Sequence, residues 1–375
     1  MRVLMTGGGT GGHVNPALAI ANTIKSKDPD AVIEYAGTAR GIENKLVPKA
    51  GYRMHYVEIK GMKRRFTLEN IKAAYLALVS PIKAKRIIKE FKPDIVIGTG
   101  GYVSWPVVKA AASMGIPTAL HESNAIAGVA IKMLQNSVDR IYLNFEETGK
   151  TLTCDKSKLL RVGNPVMNGF TGISREEARE KLGIDSKYKY ILLSYAGSMG
   201  AEKVNDAVLQ VMKKFTAVHP EVYHIHATGA IEHELCTSQF KDMGLDKCEN
   251  IELCEYIYDM PLKMAAADLT INRAGAMTVS ELAITGKAAI FIPSPNVAEN
   301  HQYKNAKVLE DAGAACLFEE KDLTDGADKL VEKVKELLSS DGDRVRTDMG
   351  NKIRDFAVLN SHDIIYEDIC SLIKK

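Results

Sequence analysis

Short apolar runs recur along this chain, each ending on glycine or a polar residue and each followed by a stretch with helical spacing. Residues 3–5, 32–36, 94–98, 117–120 and 140–143 form one set of such runs, and residues 190–195, 222–227, 251–253, 268–271 and 288–292 a second. Uninterrupted apolar runs of this length are strands covered on both faces, as in a parallel sheet flanked by helices. Helices are expected between them. Residues 17–24 carry a helical apolar pattern with Pro16 in the first turn, residues 126–134 another, and residues 201–215 place Val204, Val208, Val211 and Met212 on one face.

Gly163, Asn164 and Pro165 interrupt the alternation near mid-chain, and there the pattern restarts. Two successive βα arrays predict an α/β protein of two doubly wound, Rossmann-like domains facing each other across a cleft. The boundaries expected are 1–164 and 165–350, with a helical segment at 351–375 that can pack back on the first domain.

Ligands of such sheets sit at the carboxyl ends of the strands. The first run breaks into Gly7, Gly8, Gly9, Thr10, Gly11, Gly12 and His13, a turn whose glycines let backbone N–H groups approach an anion at a helix start. Gly7, Gly9 and Gly12 also match the dinucleotide pattern GxGxxG, with Glu34 near the place of a ribose-binding acid. A phosphate-loop NTPase is disfavoured, since His13 and Val14 stand where lysine and Ser/Thr belong. Two further polar tips follow later runs: Thr99 to Ser104, including Tyr102, and His121, Glu122, Ser123 and Asn124. Three tips are expected on one crevice.

In the second array the richest run is Asn272 to Glu281. Thr278 with Glu281 three residues on has the spacing of a capping box, while a carboxylate one turn into a helix also suits both hydroxyls of a ribose. The polar loop 293–302 ends on His301 and Gln302, whose amide can donate to and accept from sugar hydroxyls. Asp28 with Asp30, and Asp341 with Asp343, read as solvated turns rather than metal-binding pairs. His224 and His226 share a strand face without a third ligand nearby in sequence, so they read as structural histidines rather than a zinc site.

Composition narrows the classes. The 375-residue chain has a formal charge of +2, which gives no case for nucleic acid, and its six cysteines form no CxxC pair, which points to reduced thiols. Charge is uneven, however: residues 60–92 hold ten Lys/Arg against Glu69 and Glu90, a surplus of eight.

Taken in order, GGTGGH at 8–13, GGYVS at 100–104, HESN at 121–124, VGNPV at 162–166, the Gly197-Ser198 turn with Gly200-Ala201, RAGAMTVSE at 273–281, and His301-Gln302 with Asn305-Ala306 resemble the bacterial MurG glycosyltransferases. The resemblance implies a GT-B fold and transfer of N-acetylglucosamine (GlcNAc) from UDP-GlcNAc to the C4 hydroxyl of lipid I, giving lipid II and UDP. It implies no cofactor and no metal. The second domain would hold the donor: Ser198 at the diphosphate, Ile257 at the uracil through its backbone, Glu281 at the ribose, Ala276, Met277, Thr278, Val279 and Ser280 along the phosphates and sugar, and Gln302 at the sugar hydroxyls. Thr10, Gly11, Gly12 and Asn124 of the first domain would close on the donor sugar, with Tyr102 on the acceptor side.

Two positions depart from the family pattern: Met167 stands where many members have a nucleotide-contacting arginine, and Met199 where Gln or Arg is usual. Arg161 is the candidate replacement cation. For the base, an imidazole has the right pKa range, which favours His13 over Glu122. The rivals are a UDP-GlcNAc 2-epimerase, a nicotinamide dehydrogenase resting on GxGxxG alone, and a non-catalytic nucleotide-sugar-binding partner of a membrane synthase. The surplus of positive charge, led by Lys63, Arg64 and Arg65 and followed by Ile71, Tyr75, Leu78, Val79 and Ile82, is expected to dock the protein on an anionic membrane surface, peripherally and on the cytoplasmic face.

Overall fold

Among the described residues thirteen strands fall into two parallel sheets, each belonging to one of two compact units, Met1–Val166 with Val358–Lys375 and Met167–Ala357. The coordinates are a computed structural model that describes residues 1–61, 68–166 and 169–374.

The first unit runs β1 (Arg2–Thr6), α1 (Gly11–Lys27), β2 (Val32–Gly37), α2 (Glu43–Lys49), β3 (Arg53–Tyr56), α3 (Leu68–Phe91), β4 (Ile95–Gly98), α4 (Ser104–Ser113), β5 (Thr118–Glu122), α5 (Val129–Leu134), β6 (Arg140–Leu143), α6 (Glu146–Lys150) and β7 (Leu159–Arg161). Its sheet has the order β3-β2-β1-β4-β5-β6-β7, so the direction of growth reverses between β1 and β4. The continuous apolar character of β1 follows from burial on both faces. Leu4 packs in one cluster with Ile88, Val108 and Leu120, and Val3 and Met5 pack in another with Ile20 and Ile24.

Several boundaries differ from those the pattern predicts. Helix α1 begins at Gly11, not near Pro16, because the N–H groups of His13 and Val14 both reach the Thr10 carbonyl. Strand β5 extends through His121 and Glu122, and the helix expected over 126–134 is shortened to α5. Strands β3 and β7 lie at the sheet's two edges, where half-exposed side chains leave no apolar run to read.

Helix α3 has two apolar faces. Ala84, Ile88 and Phe91 are buried in the core, while Tyr75, Leu78 and Ile82 are 63, 77 and 68% exposed. Lys63, Arg64 and Arg65 lie outside the described residues. No helix among the described residues is long and apolar enough to cross a membrane.

The second unit comprises α7 (Arg175–Lys181), β8 (Tyr190–Tyr195), α8 (Glu202–Lys214), β9 (Val222–Ala227), α9 (His233–Asp242), β10 (Ile251–Cys254), α10 (Met260–Ala266), β11 (Leu269–Asn272), α11 (Ala276–Thr285), β12 (Ala288–Phe291), α12 (His301–Asp311), β13 (Cys316–Leu317), α13 (Asp328–Leu337) and α14 (Gly342–Arg354). Its order is β10-β9-β8-β11-β12-β13, with the reversal between β8 and β11. Val204, Val208, Val211 and Met212 of α8 are fully buried against this sheet. Each such side chain contributes about 1.5–3 kcal/mol, so this one face fixes where the helix start lies.

The last helix, α15 (Ser361–Ile373), belongs to the first unit. Asp368 takes hydrogen bonds at 2.9 Å from Arg140 Nε and from the Tyr142 hydroxyl, and His362 Nε2 lies 2.8 Å from the Val166 carbonyl oxygen. Because a carbonyl only accepts, that nitrogen carries a proton.

Candidate active site

At the reversal point of the first sheet the tips of β1 and β4 are packed backbone to backbone. Gly8 N–H donates to the Gly100 carbonyl at 3.3 Å, and a Cβ on Gly101 (φ +78°) would overlap the Gly8 carbonyl. The Thr99 hydroxyl donates at 2.7 Å to the carbonyl of His13, tying the start of α1 to the same place.

His13 is half-buried in the first turn of α1. Its Nδ1 lies 3.0 Å from the Gly8 carbonyl oxygen and 3.2 Å from Thr10 Oγ1. A carbonyl cannot donate, so Nδ1 carries the hydrogen and, in the neutral ring, Nε2 carries the lone pair. The Cδ2–Nε2 edge faces Gly100, where a Cβ would stand 2.7 Å from Cδ2 and 3.0 Å from Nε2. A side chain there would block that edge. Thr10 and Gly12 are exposed beside it, and Gly11 is half-buried.

The β5 tip is organised differently. Glu122 is buried, and its Oε1 accepts from the backbone N–H and side-chain amide of Asn124, both at 3.0 Å, while Oε2 accepts from Gly128 N–H at 2.8 Å. This carboxylate therefore holds its own loop. His121 is fully buried with Nε2 3.0 Å from the Gly163 carbonyl oxygen, and desolvation lowers its pKa to about 4, so it is neutral. Tyr102, 60% exposed on the β4 tip, lays its ring over Gly61.

Glu34 does not serve as a ribose acid. It lies within β2, short of the strand's end, where it pairs with His55 and Arg53. The dinucleotide reading of the glycine turn thereby loses its second element. Arg161 pairs with Glu146 at 3.0 Å within the first unit, and Met167 lies outside the described residues.

In the second unit the reversal point brings together the turn after β8 and the start of α11. Ser198 and Met199 stand exposed on that turn, held from below by Ala230 N–H to the Ser198 carbonyl (3.0 Å) and Ile231 N–H to the Met199 carbonyl (3.2 Å). Gly275 is the N-cap residue of α11, so no side chain caps this helix, and Thr278 lies inside its first turn. The capping-box reading of Thr278 and Glu281 is thus incorrect: the N-cap is Gly275, three residues earlier.

That shift also sorts the run expected to line a ligand. Met277 and Thr278 are half-buried; Ala276, Val279 and Ser280 are buried, and the Ser280 hydroxyl donates at 3.1 Å to the Ala276 carbonyl one turn back. Glu281 has no hydrogen-bond donor from the described residues, and burial pushes its carboxyl up to about 7. A carboxylate held without donors in a desolvated wall is poised to accept hydroxyl hydrogens.

Ile257 is buried between exposed Tyr256 and Tyr258, whose rings meet edge-on with centroids 5.0 Å apart. Gln302 opens α12 and its Oε1 accepts from Ser294 N–H at 2.9 Å, which leaves its amide hydrogens for other partners. The residues before it, Glu299 and Asn300, both have left-handed backbone (φ +53° and +54°), a costly geometry for glutamate. His224 and His226 are fully buried on one strand face, and both lie 2.8 Å from Ser194 Oγ. Burial lowers both pKa values, that of His226 to about 4, so they form a neutral core network. A residue that local pattern does not reveal is Glu43, a buried acid beneath the first glycine turn.

The chain is similar to known proteins along its whole length. The chain matches the glycosyltransferase family 28 N-terminal domain over residues 3–143 and the C-terminal domain over residues 191–360. It is 41% identical over 375 residues to the UDP-N-acetylglucosamine--N-acetylmuramyl-(pentapeptide) pyrophosphoryl-undecaprenol N-acetylglucosamine transferase of Acetivibrio thermocellus, covering 100% of this chain and 99% of that protein. Among solved structures, MurG of Acinetobacter baumannii superposes with a TM-score of 0.78 at 28% identity, covering 99% of each chain. The UDP-GlcNAc 2-epimerase of Neisseria meningitidis, at 16% identity and a TM-score of 0.64 over 99% of this chain and all of the other, shares the fold alone. With both domain models matched in order and two-fifths identity sustained end to end, the chain belongs to the MurG family of GT-B glycosyltransferases.

Proposed function

We infer that this chain transfers GlcNAc from UDP-GlcNAc to the C4 hydroxyl of the N-acetylmuramic acid (MurNAc) of lipid I, with inversion, giving lipid II and UDP. The observation that carries this is the 41% identity to a transferase of that name across the whole chain. The second unit binds the donor: Ser198 and the uncapped start of α11 meet the diphosphate, Glu281 the ribose, Ile257 the base and Gln302 the sugar hydroxyls. A helix N-terminus attracts phosphate through its dipole and N–H groups. From the first unit, Tyr102 belongs to the acceptor side. The lone pair on His13 Nε2 takes the acceptor proton as O4 bonds to the anomeric carbon, and the bond to the diphosphate breaks with its electron pair leaving on UDP.

Incubation of purified protein with labelled UDP-GlcNAc and a short-chain lipid I analogue tests the reading. Label should move to the lipid, and UDP should appear only when acceptor is present. Conversion of UDP-GlcNAc without acceptor would point to an epimerase instead.

A polyprenyl-linked acceptor lies in a membrane, so the enzyme must reach one. We place it peripherally on the cytoplasmic face, docked by α3. Tyr75, Leu78 and Ile82 recur at helical spacing on its outer side, followed by exposed Lys85, Arg86 and Lys89. Each cation near an anionic leaflet is worth about 1 kcal/mol, which salt weakens. Changing Lys85, Arg86 and Lys89 together to Glu should lower binding to phosphatidylglycerol vesicles at least ~100-fold at low salt, with UDP-GlcNAc affinity retained. Undiminished vesicle binding would remove α3 from this role.

A further inference from the structure

We propose that Glu43 is a positioning residue for the transfer, acting on His13 through the single peptide that joins Gly8 to Gly9. The inference rests on the reading of His13 as the base. That peptide is bonded at both ends. Its carbonyl, on Gly8, receives His13 Nδ1–H at 3.0 Å, and its N–H, on Gly9, donates to Glu43 Oε2 at 3.0 Å. A carboxylate accepting from a peptide N–H polarises the whole amide and makes its carbonyl a stronger acceptor, as chains of hydrogen bonds do. Here the stronger acceptor is the one that fixes the imidazole tautomer. The arrangement does through one amide what a carboxylate bonded directly to a histidine does in an acid–histidine pair.

The surroundings are built for a carboxylate at this place. Glu43 is fully buried at the start of α2, and its Oε1 accepts from Thr38 N–H at 3.0 Å and Thr38 Oγ1 at 2.6 Å. Glycines make the room: a Cβ on Gly8 would stand 2.5 Å from Oε1, and one on Gly41 would overlap the carboxylate. Gly9 itself has φ +84°, the left-handed conformation that turns its N–H inward. Burial disfavours the ionised form, but the bonds from Thr38 and Gly9 outweigh it and hold the carboxyl below the usual range. A charge is thereby kept beneath the turn.

Tyr35 donates its hydroxyl to the Gly7 carbonyl at 2.8 Å, and burial keeps it protonated. Tyr102 lies on the β4 tip, and Glu122 on the β5 tip is engaged by Asn124 and Gly128. A simple scaffold role for Glu43 predicts loss of rate when it is changed. A coupled role also predicts a change in the pH at which the base is lost.

The test is the kcat/KM profile of Glu43→Gln against pH, with UDP-GlcNAc affinity and melting temperature measured alongside. Removing the negative charge makes the imidazolium easier to deprotonate. The acidic limb should therefore move to lower pH, by about one unit, while kcat falls about 10-fold because the base is weaker. Donor affinity should stay within about twofold, since Glu43 is fully buried and cannot touch the donor itself. An unmoved limb in folded protein would overturn the proposal. If Glu43→Gln does not fold, Thr38→Val decides, because it keeps the charge and removes the hydroxyl that competes for it. Its limb should move to higher pH, and an unmoved limb again rejects the coupling. Loss of turnover in His13→Ala with no shift in these variants sinks this inference alone; normal turnover in His13→Ala sinks the base assignment and this inference with it.

Discussion

Replacing His13 by alanine is expected to lower turnover about 1,000-fold, the middle of the range for a general base, while UDP-GlcNAc binds as before. Two features of the ring lead to this. The Gly8 carbonyl 3.0 Å from Nδ1 places the proton on that nitrogen, so the other is basic, and the edge carrying it faces a glycine rather than a side chain. Glu122, the other candidate, differs in kind: both of its oxygens already receive hydrogen bonds from its own loop, and a carboxylate so stabilised is a weak base. A structural role for His13 predicts another outcome. Each hydrogen bond of its ring, that to the Gly8 carbonyl among them, is worth about 1 kcal/mol, so loss of such anchoring would cost stability and roughly 10-fold in rate. Single-turnover kinetics with enzyme in excess separate the two. A His13→Ala rate within tenfold of the parent would take the imidazole out of the chemistry.

The parts of this molecule that can be read from sequence are those whose partners are near in sequence or whose burial is complete. The six residues of β8 are all buried, so their run is unbroken and the strand is plain. Strand β7, with three half-exposed residues in a polar stretch, carries no such mark, because pairing with β6 rather than apolar content makes it a strand. At α11 the local rule misleads. Thr278 and Glu281 have capping spacing, yet Gly275 lets the backbone enter the helix earlier, and a glycine cap leaves no side-chain signature.

Glu43 shows the larger gap. Its hydrogen-bond donors come from Thr38, five residues away, and Gly9, thirty-four residues away, and only the parallel register of β1 with β2 brings those two turns together. The visible trace is the pair of glycines, Gly37 and Gly41, whose missing side chains make room for it. Likewise His224 and His226 share a face by the period of a strand, but their common partner Ser194 is supplied by register with β8.

Changing Glu281 to Gln should weaken UDP-GlcNAc binding by about 10- to 100-fold, the worth of one to two hydrogen bonds to a charged acceptor. The same substitution should abolish a pH dependence that the parent shows. Burial has pushed this carboxyl up to about 7, so near neutrality it is partly protonated in the free protein. Ionised, it accepts from both ribose hydroxyls; protonated, it keeps one good acceptor oxygen and presents a hydrogen instead. Affinity is therefore greatest above pH 7 and declines as pH falls through that value, and the diphosphate of UDP-GlcNAc has no ionisation near there to confuse the reading. The glutamine variant has nothing to titrate, so its affinity should be low and level. Calorimetric titrations at pH 6, 7 and 8 distinguish this from a purely structural role for Glu281, in which the variant would unfold at lower temperature without selective loss of the donor. Equal affinities in the two proteins at pH 8 would place the ribose elsewhere, and would turn attention from α11 to the loop that carries Tyr256, Ile257 and Tyr258.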